Sequence, residues 1–376
     1  MKVLSVVGNR PQPSAGEPMV PPRAPSFGAR VKILSIVGNR PQFIKSAPLS
    51  LALRRAGIDE VVLHTGQHYD RDLSQVFFDQ LRLPEPRYRL DLHTADPDAM
   101  RPGIVDALER ERPDWALVFG DTNSTLAGAE AAARAGVPVA HVEAGLRSGD
   151  LAMPEERNRI EVDRLSALLF APDARSAETL RGEGVAGRIE VVGDVMRDAL
   201  DLFLPISKQR KKPARARPFA LLTIHRAANT EPERLRRLIS EVNATGLVFQ
   251  FPVHPRTKRV LDEQGIRLSP LVSAYNPPGY LDMLALLADA ARVVTDSGGL
   301  QKEAYWLGIP CITLRKTTEW VDTVRVGANT LVDPDDPSDL GPALTNARMP
   351  EERPQLYGDG QASGRIAAAL YASAPG

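Results

Sequence analysis

VKILSIVGNRPQFIKSAPLSLALRRAG, residues 31–57, carries the reading of the fold. Five apolar residues within VKILSIV make a strand-like run. Gly38-Asn39-Arg40 then turns the chain, and Phe43, Ile44, Ala47, Leu51 and Leu53 give a rough helical stripe with Gly57 as its stop. A strand, a tight Gly-containing turn and an immediate helix form the first unit of a phosphate-binding α/β sheet. The chain opens with a near copy, MKVLSVVGNRPQ at 1–12, identical at nine of twelve positions. That copy runs into PSAGEPMVPPRAPSFGAR, with five prolines in eighteen residues, and so cannot place a helix at its own turn. Residues 31–42 are the working element. Residues 1–30 read as a disordered extension that duplicates the first strand and could pair with an exposed sheet edge.

The remaining totals bound the class. A chain of 376 residues suggests two domains. Lys plus Arg and Asp plus Glu are both 47, so no global charge draws the chain to nucleic acid or an anionic membrane. Any anion site must therefore be built locally. A single cysteine, Cys311, excludes an internal disulfide and fits a reducing compartment, so the chain reads as cytoplasmic. No apolar run approaches the ~20 residues of a membrane span.

From residue 31 onward, β-branched apolar runs alternate with helical stretches. VKILSIVG, EVVLHTG, YRLDL, WALVFGD, VPVAHVEAG, ALLFAP and IEVVGD read as strands. STLAGAEAAARAG between them reads as a helix with Ser124 as N-cap and Gly136 after its last turn. SKQRKKPARARP, residues 207–218, lacks apolar periodicity and reads as a solvated linker rather than a nucleic-acid patch. The alternation then restarts with FALLTIHR, LVFQFPVHP, LVSAY, RVVTDSGG, IPCITLR and NTLVD. The expected fold class is α/β, with two Rossmann-like doubly wound domains facing a central cleft. The expected domains are 31–205 and 206–361, with a helix at about 362–376 packing back on the first.

In open parallel sheets, ligands bind at the carboxyl ends of strands. The polar residues there are Gly38-Asn39-Arg40, Gly120-Asp121-Thr122, His141 to Gly145, His225-Arg226, His254-Pro255-Arg256 and Asp296 to Gly299. TDSGGLQKEA is the sharpest signal. Ser297, Gly298 and Gly299 let a backbone approach an anion at a helix N-terminus, and Glu303 about a turn later can accept ribose hydroxyls. Together they suggest a nucleotide diphosphate site, against a simple tight connection. MPEERNR, residues 153–159, offers Glu155, Glu156, Arg157 and Arg159, either solvent-facing or aimed at the cleft. Asp121, Glu143 and Glu155 can converge there, and clustered carboxylates let an acid and a base coexist. No metal site, Walker-type loop or GxGxxG is expected.

These segments, in order, resemble the non-hydrolysing UDP-N-acetylglucosamine 2-epimerases over about residues 31–345. The likeness rests on GNRPQFIKSAPL, HTGQHYD, GDTNSTLAG, HVEAGLRSGD, PEERNR, TIHRAANT, PVHPRT, DSGGLQKEA and LRKTTEW. It implies a GT-B-type fold, a homodimer, no redox cofactor or metal, and inversion at C2 of a UDP-N-acetylhexosamine for surface polysaccharides. UDP-N-acetylglucosamine and UDP-N-acetylmannosamine would interconvert through loss of the C2 proton, anti elimination of UDP to 2-acetamidoglucal, and re-addition. By matching position, Asp121, Glu143, Glu155 and His225 form the acid/base set, with the C2 base among them. Arg40, Lys45, Arg159, His254 and Arg256 contact substrate or phosphate. Ser297, Gly298, Gly299 and Glu303 cradle UDP, with Tyr280 near the uracil or ribose. Gln67 and His68 match a pair around which bacterial relatives build an activating second site.

Two features qualify the match. Trp320 stands where the family's TTERPE has arginine. HTGQHYDRDLSQVFF and LRKTTEWVDTV resemble a sub-branch that includes epimerases of UDP-2,3-diacetamido-2,3-dideoxy-glucuronate, which is the alternative substrate. A GT-B glycosyltransferase is the alternative of another class.

Overall fold

The computed structural model describes residues 31–67, 85–210 and 218–373. The duplicate at 1–30, residues 68–84 with His68 and all of HYDRDLSQVFF, residues 211–217 of the basic linker and residues 374–376 at the end of the expected returning helix lie outside them.

Thirteen described strands form two parallel sheets. The first contains β1 (Lys32–Val37), β2 (Asp59–His64), β3 (Tyr88–Arg89), β4 (Trp115–Phe119), β5 (Val139–Val142), β6 (Leu168–Ala171) and β7 (Arg188–Val191), in the order 3-2-1-4-5-6-7. The second contains β8 (Ala220–Thr223), β9 (Phe249–Pro252), β10 (Val272–Tyr275), β11 (Arg292–Thr295), β12 (Cys311–Leu314) and β13 (Asn329–Val332), in the order 10-9-8-11-12-13. Strand order reverses at β1/β4 and again at β8/β11, where Ser35 lies beside Leu117 and Leu222 beside Val294. A crevice opens at such reversals, outside the strand ends. The expected α/β, GT-B-type class is therefore the fold observed.

The strands are apolar because helices cover both faces. Ile33 and Val37 point into one core, while Leu34 and Ile36 point into another under the Pro97–Glu111 and Asn123–Arg134 helices. The first core is shared between the sheets, since it also holds Phe203, Tyr280, Leu284 and Val293. The Ala362–Ala372 helix returns to the first sheet: Ile366 and Leu370 enter the same core, and the Asp198 carboxylate accepts from Ala362 N and Ser363 N at 3.2 and 2.7 Å. Among the described residues no helix is long and apolar enough to cross a membrane.

Two local expectations are corrected. The cap of the Asn123–Arg134 helix is Thr122, not Ser124: Thr122 and Thr125 form a reciprocal capping box. Ser124 is occupied elsewhere, with its hydroxyl 2.8 Å from Thr65 Oγ1 and donating to Gln67 Oε1 at 2.7 Å. YRLDL shrinks to the two residues of β3, because Asp91 and His93 take φ of 47° and 50° and leave the extended region.

Candidate active site

The first sheet supplies one wall. A Cβ at Gly38 would run into Ser124 Oγ and Thr65 Oγ1, so the turn after β1 requires glycine. Gln42 ties this turn to the one after β4: its Oε1 accepts from Gly38 N at 2.7 Å, and its Nε2 donates to Phe119 O at 2.9 Å. Arg40 and Lys45 ride on the Arg40–Arg55 helix that follows. Arg40 reaches the other half of the molecule, donating to Pro278 O at 3.4 Å.

Lys45 is ion-paired with Glu143, just past β5. Glu143 has φ of 75°, a left-handed conformation costing about 1–2 kcal/mol outside glycine. Its carboxylate also lies 3.3 Å from Lys302 of the second half. Burial pushes the Glu143 carboxyl upward, but Lys45, Lys302 and Arg159 outweigh it and hold the group down at about 2. Asp121, after β4, pairs with Arg159, which also binds Glu156 at 2.9 Å. Burial disfavours the Arg159 charge, yet Asp121, Glu319 and Glu156 hold the guanidinium above its ordinary value.

Neighbouring candidates divide. Glu155 is exposed on the first turn of the Pro154–Leu165 helix, with Arg226 in its field. Glu156 is buried and accepts from Ser148 N and Gly149 N, so it shapes the loop. His141 has a structural place, fully buried with its ring nitrogens 2.7 Å from Asp163 Oδ1 and 2.8 Å from Gly120 O. Gln67 packs against Ser124.

The second sheet supplies the other wall. His225 follows β8, with Nδ1 2.9 Å from Asp296 Oδ1. The buried Asp296 carboxylate also accepts from His225 N, Arg226 N and Asn229 Nδ2 at 3.0, 2.9 and 3.2 Å. Burial opposes its ionisation, but these donors keep it below the usual carboxylate range. Fixing Nδ1 leaves Nε2 of His225 for proton transfer. Asp296→Asn sets an amide N–H against one of these donors. It should lower stability by about 2 kcal/mol in urea unfolding. His254 caps the Pro255–Glu263 helix, with its ring 6.1 Å from that of His225, and Arg256 donates to His225 O at 3.4 Å.

The Gly298–Leu307 helix begins after Ser297 with no side chain capping its first turn. A Cβ at Gly299 would meet nothing within 4 Å, so the helix N-terminus is open to an anion. A Cβ at Gly298 would lie 2.7 Å from the Glu319 carboxylate, which a phosphate would have to displace, and 3.5 Å from Trp320 Nε1, a buried donor with no partner among the described residues. A phosphate oxygen at this turn would satisfy it. Glu303 and Tyr280 are buried together, Tyr280 Oη donating to Glu303 Oε1 at 2.8 Å. Burial pushes the Glu303 carboxyl up to about 7 despite Tyr280, Lys302 and Arg40.

The structure thus groups Lys45, Asp121, Glu143 and Arg159 on one wall and His225, His254 and Arg256 on the other. Ser297 to Gly299 open the helix that carries Glu303, and the hydrogen-bonded Glu303 and Tyr280 lie in the field of Arg40. The sequence reading passed over Lys302, Asp194 and the orienting role of Asp296. It named Arg226 among the strand-end residues without a role; the guanidinium donates to Asp296 O at 2.9 Å and pairs directly with no carboxylate among the described residues. Burial and nearby Arg315 lower the Arg226 pKa. Its place in TIHRAANT, beside a chosen histidine, was the available signal.

The sequence model described as UDP-N-acetylglucosamine 2-epimerase matches residues 51–371. The UDP-2,3-diacetamido-2,3-dideoxy-D-glucuronate 2-epimerase of Pseudomonas aeruginosa is 43% identical, covering 98% of each chain. The UDP-N-acetylglucosamine 2-epimerase of Methanocaldococcus jannaschii is 40% identical over 77% of this chain and 85% of its own. A crystal structure of the M. jannaschii UDP-GlcNAc 2-epimerase in complex with UDP-GlcNAc and UDP superposes with a TM-score of 0.82 and 36% identity, covering 91% of this chain and all of that one. Paired sheets with aligned reversals and sequence agreement along nearly the whole length converge on one assignment: this chain is an epimerase, belonging to the UDP-N-acetylglucosamine 2-epimerase family.

Proposed function

We propose that the protein inverts C2 of UDP-2,3-diacetamido-2,3-dideoxy-glucuronate. The observation that carries this choice of sugar is the 43% identity to the P. aeruginosa enzyme along 98% of both chains. The electrostatics agree with an added carboxylate. Arg226 is a partly buried guanidinium without a direct carboxylate partner among the described residues. Glu319, Asp296 and Glu155 act on it from a distance but leave its pKa below the ordinary value, so a contacting anion would favour its charged form. UDP-N-acetylglucosamine is the second reading, favoured by the matching structure solved with that sugar.

The chemistry is an elimination followed by an addition. A base takes the C2 proton while the C1–O bond to UDP breaks, leaving a C1=C2 double bond. UDP then re-adds at C1, and a proton reaches C2 from the opposite face. No electrons are gained or lost overall. Asp121, Glu143, Glu155 and His225 serve as the acid/base set. Arg40, Lys45, Arg159, His254 and Arg256 neutralise the phosphates as UDP departs. Ser297 to Gly299, Tyr280 and Glu303 hold the nucleotide. The division into 31–205 and 206–361, with 362–376 returning, belongs to the same reading: two lobes closing over the glycal keep water from it.

The test is incubation in deuterated water, without acceptor, with each of the two UDP sugars. C2 inversion and deuterium at C2 are expected with the diacetamido-uronate. Turnover of UDP-N-acetylglucosamine alone would replace this reading with the second. Neither product, followed by sugar transfer when an acceptor is supplied in a second incubation, would replace both with a glycosyltransferase.

A further inference from the structure

Lys302 stands out among the buried groups. It lies on the Gly298–Leu307 helix, only 1% exposed, and pairs with two carboxylates 159 and 108 residues away, Glu143 and Asp194. A buried ammonium needs a counter-charge, and one carboxylate would neutralise it. The second partner is the informative one, because Glu143 already has Lys45. Two lysines and two carboxylates from different elements form a balanced cluster spanning the two sheets.

The surroundings fit the ammonium. Its Nζ lies 3.8 Å from the centre of the Trp320 ring, whose π face favours a cation. Trp320 is braced edge-on by Tyr357 at 5.0 Å and packs with Leu146, in the loop that follows Glu143. An arginine at 320 would set a second cation beside Lys302. Asp194 is fixed in turn, accepting from Met196 N at 2.8 Å as the cap of the Val195–Lys208 helix.

We infer that Lys302 is a positioning residue that holds the Glu143 carboxylate in place and ionised for proton transfer at C2, and that it couples this to the seating of the nucleotide helix. The helix that starts at the proposed phosphate turn carries Lys302 on its first turn and a half. The first sheet carries Glu143. The contact therefore exists only when the sheets hold this mutual position, so a seated nucleotide and a poised carboxylate go together. The inference rests on the proposed place of Glu143 in the acid/base set, whichever sugar is bound.

The charged groups facing Glu143 are Lys45 from the Arg40–Arg55 helix, Arg159 from the Pro154–Leu165 helix, Lys302, and Asp194 beyond it. Asp121 faces it through Arg159. Burial alone would push the Glu143 carboxyl up, and the cations reverse this. Removing Lys302 lets burial regain ground, so the acid limb of activity moves to higher pH.

The test measures C2 deuterium wash-in against pH for Lys302→Met, with Lys302→Arg as the charge-preserving control. In Lys302→Met the acid limb of kcat, read at saturating substrate where Glu303 is already ionised, should rise by about one pH unit. Its kcat should fall roughly tenfold or more, with KM nearly unchanged. Lys302→Arg should keep the parental limb. Should Lys302→Met fail to fold, adding Asp194→Asn removes one charge of each sign, and the limb should still rise, by less. A folded variant lacking Lys302 with parental limb and kcat would overturn the inference. Glu143→Gln separates the levels: if it stays active, the place of Glu143 in the acid/base set is wrong, and the role of Lys302 falls with it.

Discussion

Glu143→Gln should lower C2 deuterium wash-in by about a thousandfold while UDP still binds. Glutamine keeps the shape at a left-handed backbone position, so the change is one of charge. The parent carboxylate is held at about 2, far below neutrality, so it is always available as an anion under assay. The amide can neither accept a proton nor balance Lys45 and Lys302. Lys302 then keeps only Asp194, the half-buried Lys45 loses its carboxylate, and stability should fall by about 3 kcal/mol. That loss has a pH sign. The depressed Glu143 group contributes above its unfolded value near 4.5 and ceases to contribute as pH falls towards 2, so the gap between variant and parent narrows in acid. UDP affinity, measured by calorimetry, should weaken but persist: the proposed cradle is on the other sheet, and Lys302 of its helix loses one of its two carboxylates. Asp121→Asn should lose comparable turnover with a smaller cost in stability, since Arg159 retains Glu156. Wash-in within twofold of the parent in both variants would remove these carboxylates from the chemistry.

The sheets and their polar strand ends were legible because they obey local rules. Residues 31–57 hold a strand period, a glycine turn and a helix period in succession, and each survives in the structure. What was not legible depends on distance. Glu155 and Glu156 are adjacent acids on a helix without an apolar stripe, and only packing decides that one is exposed and the other buried. Thr122, Asn123, Ser124 and Thr125 are four consecutive residues with capping side chains. Thr65 and Gln67, more than fifty residues earlier, withdraw Ser124 from the choice. His141 sits at a strand end like His225, but buried Asp163 turns it into a structural group. Lys302 reads as one more helical lysine until the fold sets two acids of the first half beside it.

Glu303→Gln should stabilise the protein relative to its parent at alkaline pH while weakening UDP. Glu303 is 4% exposed, and burial lifts its carboxyl to about 7. A carboxyl raised in the native state keeps its proton where the unfolded chain has already lost it. Between pH near 4.5 and pH near 7 the folded form binds more protons, so stability falls as pH rises through that window. Above it, the full penalty remains, on the order of 3 kcal/mol. The glutamine oxygen can still accept from Tyr280 Oη, and the variant carries no titrating group. Any fixed cost of the amide cancels when two pH values are compared, so the stability gap should shift in favour of the variant by about 3 kcal/mol between pH 4 and pH 8. A gap constant with pH would mean that this carboxyl is not strained by burial. The same penalty bears on the nucleotide. Two ribose hydroxyls donating to Glu303 would favour its ionised form, so UDP binding near pH 6.5 should release up to about one proton. Calorimetry in buffers of different ionisation enthalpy reads that release directly. It should vanish in Glu303→Gln, because the proton the parent gives up is the one that burial had made it keep.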